Sequence, residues 1–132
     1  MQDRHLDKDL RSHFNKYKQI LVLLGARQVG KTTILKKIFP EAKYFEVDTE
    51  AVKNNLEKYD PSIYKELLTG NGESNVVVID EIHKLSDPGR AAKIIYDQLP
   101  QFKLIITGSS SFRIKNKISE SLAGRKIDYF LY

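Results

Sequence analysis

Two stretches of this chain combine residue types that can do chemistry: GARQVGKTT, Gly25 to Thr33, and VVVIDEIH, Val76 to His83. The first matches G-x-x-x-x-G-K-[ST] at every fixed position. That spacing suits a phosphate chain. Backbone N–H groups of Gly25, Ala26, Arg27, Gln28, Val29 and Gly30 can wrap it, and side chains at the two glycines would obstruct the approach. Lys31 then sets an ammonium against the β- and γ-phosphates, and Thr32 offers a hydroxyl to Mg²⁺. Thr33 either reaches the α-phosphate or caps the helix that follows. Arg27 and Gln28 lie on the outer arc of the loop, as solvated side chains or as contacts to a neighbouring subunit.

The second stretch supplies what a cradle alone lacks. Asp80 ends an apolar run, the place for an acid that holds Mg²⁺. Glu81 follows at once, and a carboxylate there can act as general base toward a water. His83 is expected on the surface of the next turn. A third polar group, in LIITGSSSF, puts Thr107, Ser109, Ser110 and Ser111 at the end of another apolar run. Thr107 and Ser109 are both candidates for sensing a γ-phosphate, and Ser110 or Ser111 can equally be a helix cap. Arg125, in LAGRK, is either a finger that neutralises a transferring phosphoryl group in trans within an oligomer or a surface arginine.

These residues need a scaffold, and the hydropathy pattern provides one. Apolar runs alternate with helical patterns along the chain, which predicts βαβ units and a parallel sheet. Strands are expected at 19–24, 43–48, 75–80, 102–107 and 126–132. Helices are expected at 3–17, 31–39, 50–59, 61–68 and 88–99, with one or two short helices between the fourth and fifth strands. Asp60-Pro61 and Asp87-Pro88 have the form of helix caps followed by a first-turn proline. His5 and His13 are placed where they could share a helix face.

With 132 residues, the chain fits one domain with a hydrophobic core. The absence of cysteine removes disulfides, thiolate catalysis and Cys-based zinc sites. The first ten residues have no apolar core and do not read as a signal peptide. No apolar run nears the roughly 18 residues that cross a bilayer, so no membrane partner is expected and the location expected is cytoplasmic. A net charge of +5 permits contact with nucleic acid without establishing it, because the lysines are spread rather than massed.

The order and spacing of GARQVGKTT, VVVIDEIHKL, LIITGSSSF and SESLAGRK resemble the prokaryotic AAA-type ATPases of the "AAA domain 14" group. The similarity runs from about Ile20 to Tyr132 and includes FEVDTEAVKNNLEKYDPSIY. It implies an α/β, three-layer P-loop NTPase fold of the ASCE/AAA type, with a five-stranded parallel sheet in the order 5-1-4-3-2. It also implies ATP with Mg²⁺ as ligands and hydrolysis of ATP to drive a conformational change. On the matching positions, Gly30, Lys31 and Thr32 bind phosphate and metal, Asp80 and Glu81 carry the metal and base roles, and Ser109 is the sensor. A departure is His83, where a glutamine is expected. Members of the group continue into a larger C-terminal region, so 1–132 is expected to be the ATPase domain of a longer protein. In this form it could bind nucleotide without turning it over. No N-K-x-D string is present, and the preference for adenine rests on the resemblance.

Overall fold

A computed structural model describes residues 4–26, 30–70, 72–109, 118 and 120–131. The order is α1 (Arg4–Lys16), β1 (Ile20–Gly25), α2 (Lys31–Ile38), β2 (Lys43–Glu46), α3 (Glu50–Leu56), α4 (Pro61–Thr69), β3 (Val76–Asp80), a 3₁₀ turn (Ile82–Lys84), α5 (Pro88–Gln98), β4 (Lys103–Ser109) and β5 (Lys126–Leu131). The short helix expected between β4 and β5 falls mostly outside the described residues. Residues 118, 120 and 121 are helical.

All five strands run parallel, in the order β2-β3-β4-β1-β5. Read from the other edge, this is the expected 5-1-4-3-2. β1 lies between β4 and β5 and is buried at every residue, as its continuous apolar run requires. The sheet has one apolar cluster on each face. Leu6, Leu10, Ile34, Leu35 and Ile38 of α1 and α2 pack with Leu21, Leu23, Val78 and Ile105. Leu56, Tyr64, Leu68, Ala92 and Ile95 of α3, α4 and α5 pack with Val22, Leu24, Val77, Ile79 and Ile106. Alternate residues of each strand serve opposite faces, so helices on both sides are obligatory.

Local chemistry sets the helix ends. The Asp60 carboxylate accepts from the amides of Ser62 and Ile63, and the Asp87 carboxylate from the amide of Arg90. Both aspartates precede a first-turn proline, as the sequence predicts. α3 stops at Leu56 rather than continuing to residue 59. Tyr59 has φ 51°, a conformation that no right-handed helix admits. The Tyr59 hydroxyl donates to Glu57 at 2.6 Å and accepts from the amide of Asp87 at 2.7 Å. That tie compensates the backbone strain and joins the α3–α4 corner to the start of α5.

In a parallel sheet every strand ends at the same edge. Gly25, Glu46, Asp80 and Ser109, the last residues of β1, β2, β3 and β4, therefore share one rim.

Candidate nucleotide site

The rim is organised around α2. Gly30 precedes the helix with φ 85° and ψ 27°. Nothing would crowd a Cβ there, so the backbone twist rather than space calls for glycine. α2 has no side-chain cap and no acid in its first turn. Its leading N–H groups and the positive end of its dipole are thus left for an anion. Thr33 is exposed in that first turn. Arg27, Gln28 and Val29 lie outside the described residues.

Lys31 is only 6% exposed. Its Nζ donates to the carbonyl of Gly25 at 2.9 Å and to that of Ala26 at 3.3 Å. Among the described residues no carboxylate pairs with it. A buried ammonium satisfied only by carbonyl dipoles is poised for a negatively charged ligand, because desolvated charge is costly without an opposite one.

Next to it runs a chain of hydrogen bonds. The Thr32 hydroxyl donates to Asp80 Oδ2 at 3.3 Å. Asp80 Oδ1 accepts from the Thr107 hydroxyl at 2.5 Å. The same Thr107 oxygen accepts from the amide of Glu81 at 2.9 Å. Glu81 has φ 60° and ψ 44°, a left-handed conformation costly for a residue with a Cβ. The bond to Thr107 holds that backbone in place. Its carboxylate turns to His83, with Oε2 3.2 Å from Nε2. Burial pushes the His83 ring toward its neutral form, against the pull of Glu81.

The structure links Thr32, Asp80 and Glu81 through Thr107, and Lys31 starts the same helix as Thr32. Ser109 joins them, since it pairs in register with Gly25 at the root of the loop. Thr107 has a different set of partners. It is wholly buried, and its hydroxyl is engaged in bracing Asp80 and Glu81. That bracing role was missed in the sequence. The signal was a threonine one strand over from the acid, in a run otherwise Leu and Ile.

His83 is a correction to the expectation of a surface residue. Its side chain is 18% exposed and contacts Glu81. His5 and His13 do not share a face either, as His13 is fully buried and His5 is exposed. The structure does not bring Arg125 to the rim. It precedes β5, and its carbonyl accepts from the amide of Ile20 at the start of β1. That is the opposite edge of the sheet, where its Nε donates to Asp97 at 3.0 and 3.2 Å. Ser110 and Ser111 lie outside the described residues.

The donor set suits magnesium. Among the described residues no three His, Cys, Asp or Glu side chains converge as a metal cage. Thr32 and Asp80 offer just two oxygens, and Mg²⁺ is commonly held by one or two protein oxygens with phosphates and waters completing the shell.

A central parallel strand, a glycine-lysine-threonine turn and a helix aimed at the bend define a P-loop, ATPase-type nucleotide-binding module. The AAA_14 family model, an AAA domain, matches residues 17–132, and the chain belongs to this family. An uncharacterized protein of Mycobacterium tuberculosis is 30% identical over 107 residues, which are 80% of this chain and 23% of that protein. Another, from Methanocaldococcus jannaschii, is 30% identical over 130 residues, 89% of this chain and 27% of the other. The chain thus spans about a quarter of the length of these relatives.

Two solved structures share the fold. The Saccharomyces cerevisiae Hsp104–ADP complex superposes with a TM-score of 0.62 at 20% identity, covering 97% of this chain and 21% of that one. A STAND signal-transduction ATPase with a tetratricopeptide repeat sensor, from Pyrococcus horikoshii, gives 0.56 at 20% identity, covering 99% and 23%. No helix among the described residues is long and apolar enough to cross a membrane.

Proposed function

We propose that this domain binds Mg·ATP at the rim and hydrolyses it to drive a conformational change in an attached region. The observation that carries the reading is a buried Lys31 at the mouth of an uncapped helix, beside the hydrogen-bonded set Thr32, Asp80, Thr107 and Glu81.

In this reading Lys31 turns from the carbonyls of Gly25 and Ala26 to the phosphate oxygens, exchanging partial charges for full ones. The amides of Gly30, Lys31 and Thr32 donate to the same phosphates. Thr32 and Asp80 would hold Mg²⁺, whose charge would offset that of the phosphates. Glu81 accepts a proton from the water that attacks the γ-phosphorus, while the bond to the β–γ bridging oxygen breaks and ADP leaves. Ser109, level with Gly25, is the candidate sensor of the γ-phosphate.

Lys31→Ala should weaken ATP binding by about tenfold to a hundredfold, the scale of a lost charged hydrogen bond. Glu81→Gln should keep binding and lower turnover by roughly a hundredfold or more. Titration with a fluorescent ATP analogue, with and without Mg²⁺, and a phosphate-release assay read the two effects. Full turnover in both variants defeats the assignment.

A second reading has one observation in its favour. Among the described residues no arginine reaches the rim, and Arg125 pairs with Asp97 at the far edge. In this second reading a single chain binds nucleotide, and turnover depends on an arginine supplied by a second copy. Phosphate release per chain that rises with protein concentration supports assembly-dependent turnover. A rate of zero at every concentration supports a binding module.

A further inference from the structure

His83 has no part in the chemistry above, yet its place is tightly determined. Ile82 and Leu85 on either side are buried, at 1% and 3% exposure. The amide of Lys84 donates to the carbonyl of Glu81 and that of Leu85 to Ile82, each at 3.0 Å. This turn carries the imidazole back over the residue that begins it. Nε2 lies 3.2 Å from Glu81 Oε2, an ion-pair contact, and because an ionised carboxylate only accepts, Nε2 must carry a proton for that contact to attract. Nδ1 is buried and has no hydrogen-bond partner among the described residues. A ring placed only by packing could turn toward solvent and avoid that cost, about 1–3 kcal/mol.

Glu81 has the complementary need. Its backbone is held by Thr107, but its side chain has three rotatable bonds and is 27% exposed. A base must sit within hydrogen-bond reach of the proton it takes, and an error of about 1 Å can cost a hundredfold in rate. We propose that His83 is the positioning residue that holds the Glu81 carboxylate at the rim, so that turnover depends on its Nε2 donor while nucleotide binding does not. The inference rests on the reading of Glu81 as base. Lys84, Lys31 and Asp48 also act on the ring electrostatically, the two lysines against its charged form and the aspartate in favour of it.

Two variants and one spectroscopic signal test it. His83→Ala should lower kcat by about tenfold to a hundredfold, with the KM for Mg·ATP and the Kd of the fluorescent analogue unchanged. His83→Gln keeps an amide donor at the position of Nε2 and should recover most of the rate. A wild-type rate in His83→Ala, or a His83→Gln variant no faster than His83→Ala, overturns the proposal. Independently of turnover, ¹⁵N spectra of the ring nitrogens report the titration midpoint of His83. The Glu81 carboxylate favours the charged ring, so Glu81→Ala should lower that midpoint. An unchanged midpoint removes the contact and the proposal with it. Failure of the unaltered chain to bind ATP would instead sink the ATPase reading, and the histidine signal tells the two failures apart.

Discussion

Two histidines, one toward each edge of the sheet, show how differently the two ends are built. Burial pushes both toward the neutral ring. His13, on α1, uses both nitrogens. Nε2 donates to the carbonyl of Gln19 at 2.7 Å, which leaves Nδ1 to accept from the Tyr129 hydroxyl at 2.8 Å. That closed set ties α1 to β5 and to the entry of β1. His83 has one nitrogen in contact with Glu81, and its other, buried nitrogen has no partner among the described residues. Around it the backbone is left-handed at Gly30 and Glu81, and Lys31 is buried with no carboxylate partner among the described residues. Satisfied polar groups make the first edge a clamp. Incompletely satisfied ones make the second a place where a ligand has something to complete.

The sharpest way to break this contrast is at Thr107, which braces the ligand edge from within. Thr107→Val keeps the shape but leaves the amide of Glu81 unpaired and frees Asp80 Oδ1. We expect turnover to fall at least a hundredfold, with stability lower by about 1–3 kcal/mol for the unpaired amide. Thr107→Ser keeps the hydroxyl and should restore most of both. Urea unfolding and phosphate release give the two numbers.

At the clamp the expected effect lies in stability alone. His13→Leu removes the partners of Gln19 O and the Tyr129 hydroxyl, at a cost of about 1–3 kcal/mol. Affinity for ATP should not change, because the clamp lies toward the other edge. A fall in affinity to match the loss of stability would mean the two edges are coupled.

pH sharpens the same point. A histidine whose folded pKa is depressed stabilises the fold fully above its unfolded value near 6.5. As pH falls below that value the unfolded chain takes up the proton first, and stability declines until the folded pKa is passed. Both histidines have this sign. His13→Leu should flatten the decline in part, leaving the share due to His83. The slope of unfolding free energy against pH between about 6.5 and 5 measures it.

Glu81→Gly tests whether strain is stored at the ligand edge. Glycine takes φ near 60° without penalty, and relief of the left-handed conformation is worth about 1 kcal/mol. Greater stability with lost turnover is the expected pair of results. The stability gain should be muted by glycine's larger entropy in the unfolded chain.

The strands and the parallel sheet were legible in residue types and spacing, while the strand order came from the family resemblance. QILVLL is apolar on both faces, so it had to be a central strand. GARQVGKT leaves few alternatives to a phosphate turn. What escaped were contacts between elements distant in sequence. That the Thr107 hydroxyl meets Asp80 depends on β3 and β4 lying side by side, with Val76 opposite Lys103. That His83 folds back onto Glu81 depends on a left-handed residue opening a 3₁₀ turn, and a glutamate does not advertise positive φ. The early end of α3 has the same origin at Tyr59.

Arg125 gives the smallest expected effect and the most discriminating one for assembly. It directly precedes β5, which runs parallel to β1, so its backbone lies at the edge opposite the phosphate turn. No side-chain rotation within one chain spans the length of a strand. Its guanidinium is bound to Asp97 at the surface, and exposed pairs of this kind contribute little to stability. Arg125→Ala should therefore leave the melting midpoint, the ATP affinity and the turnover of dilute protein unchanged. Any role it has in hydrolysis must come from a neighbouring copy that turns this edge toward the phosphate rim. Such a role would appear only where phosphate release per chain climbs with protein concentration, and Arg125→Ala would flatten that climb. If the variant instead follows the unaltered chain at every concentration, Arg125 serves only the pair with Asp97, and an arginine for the rim must come from elsewhere.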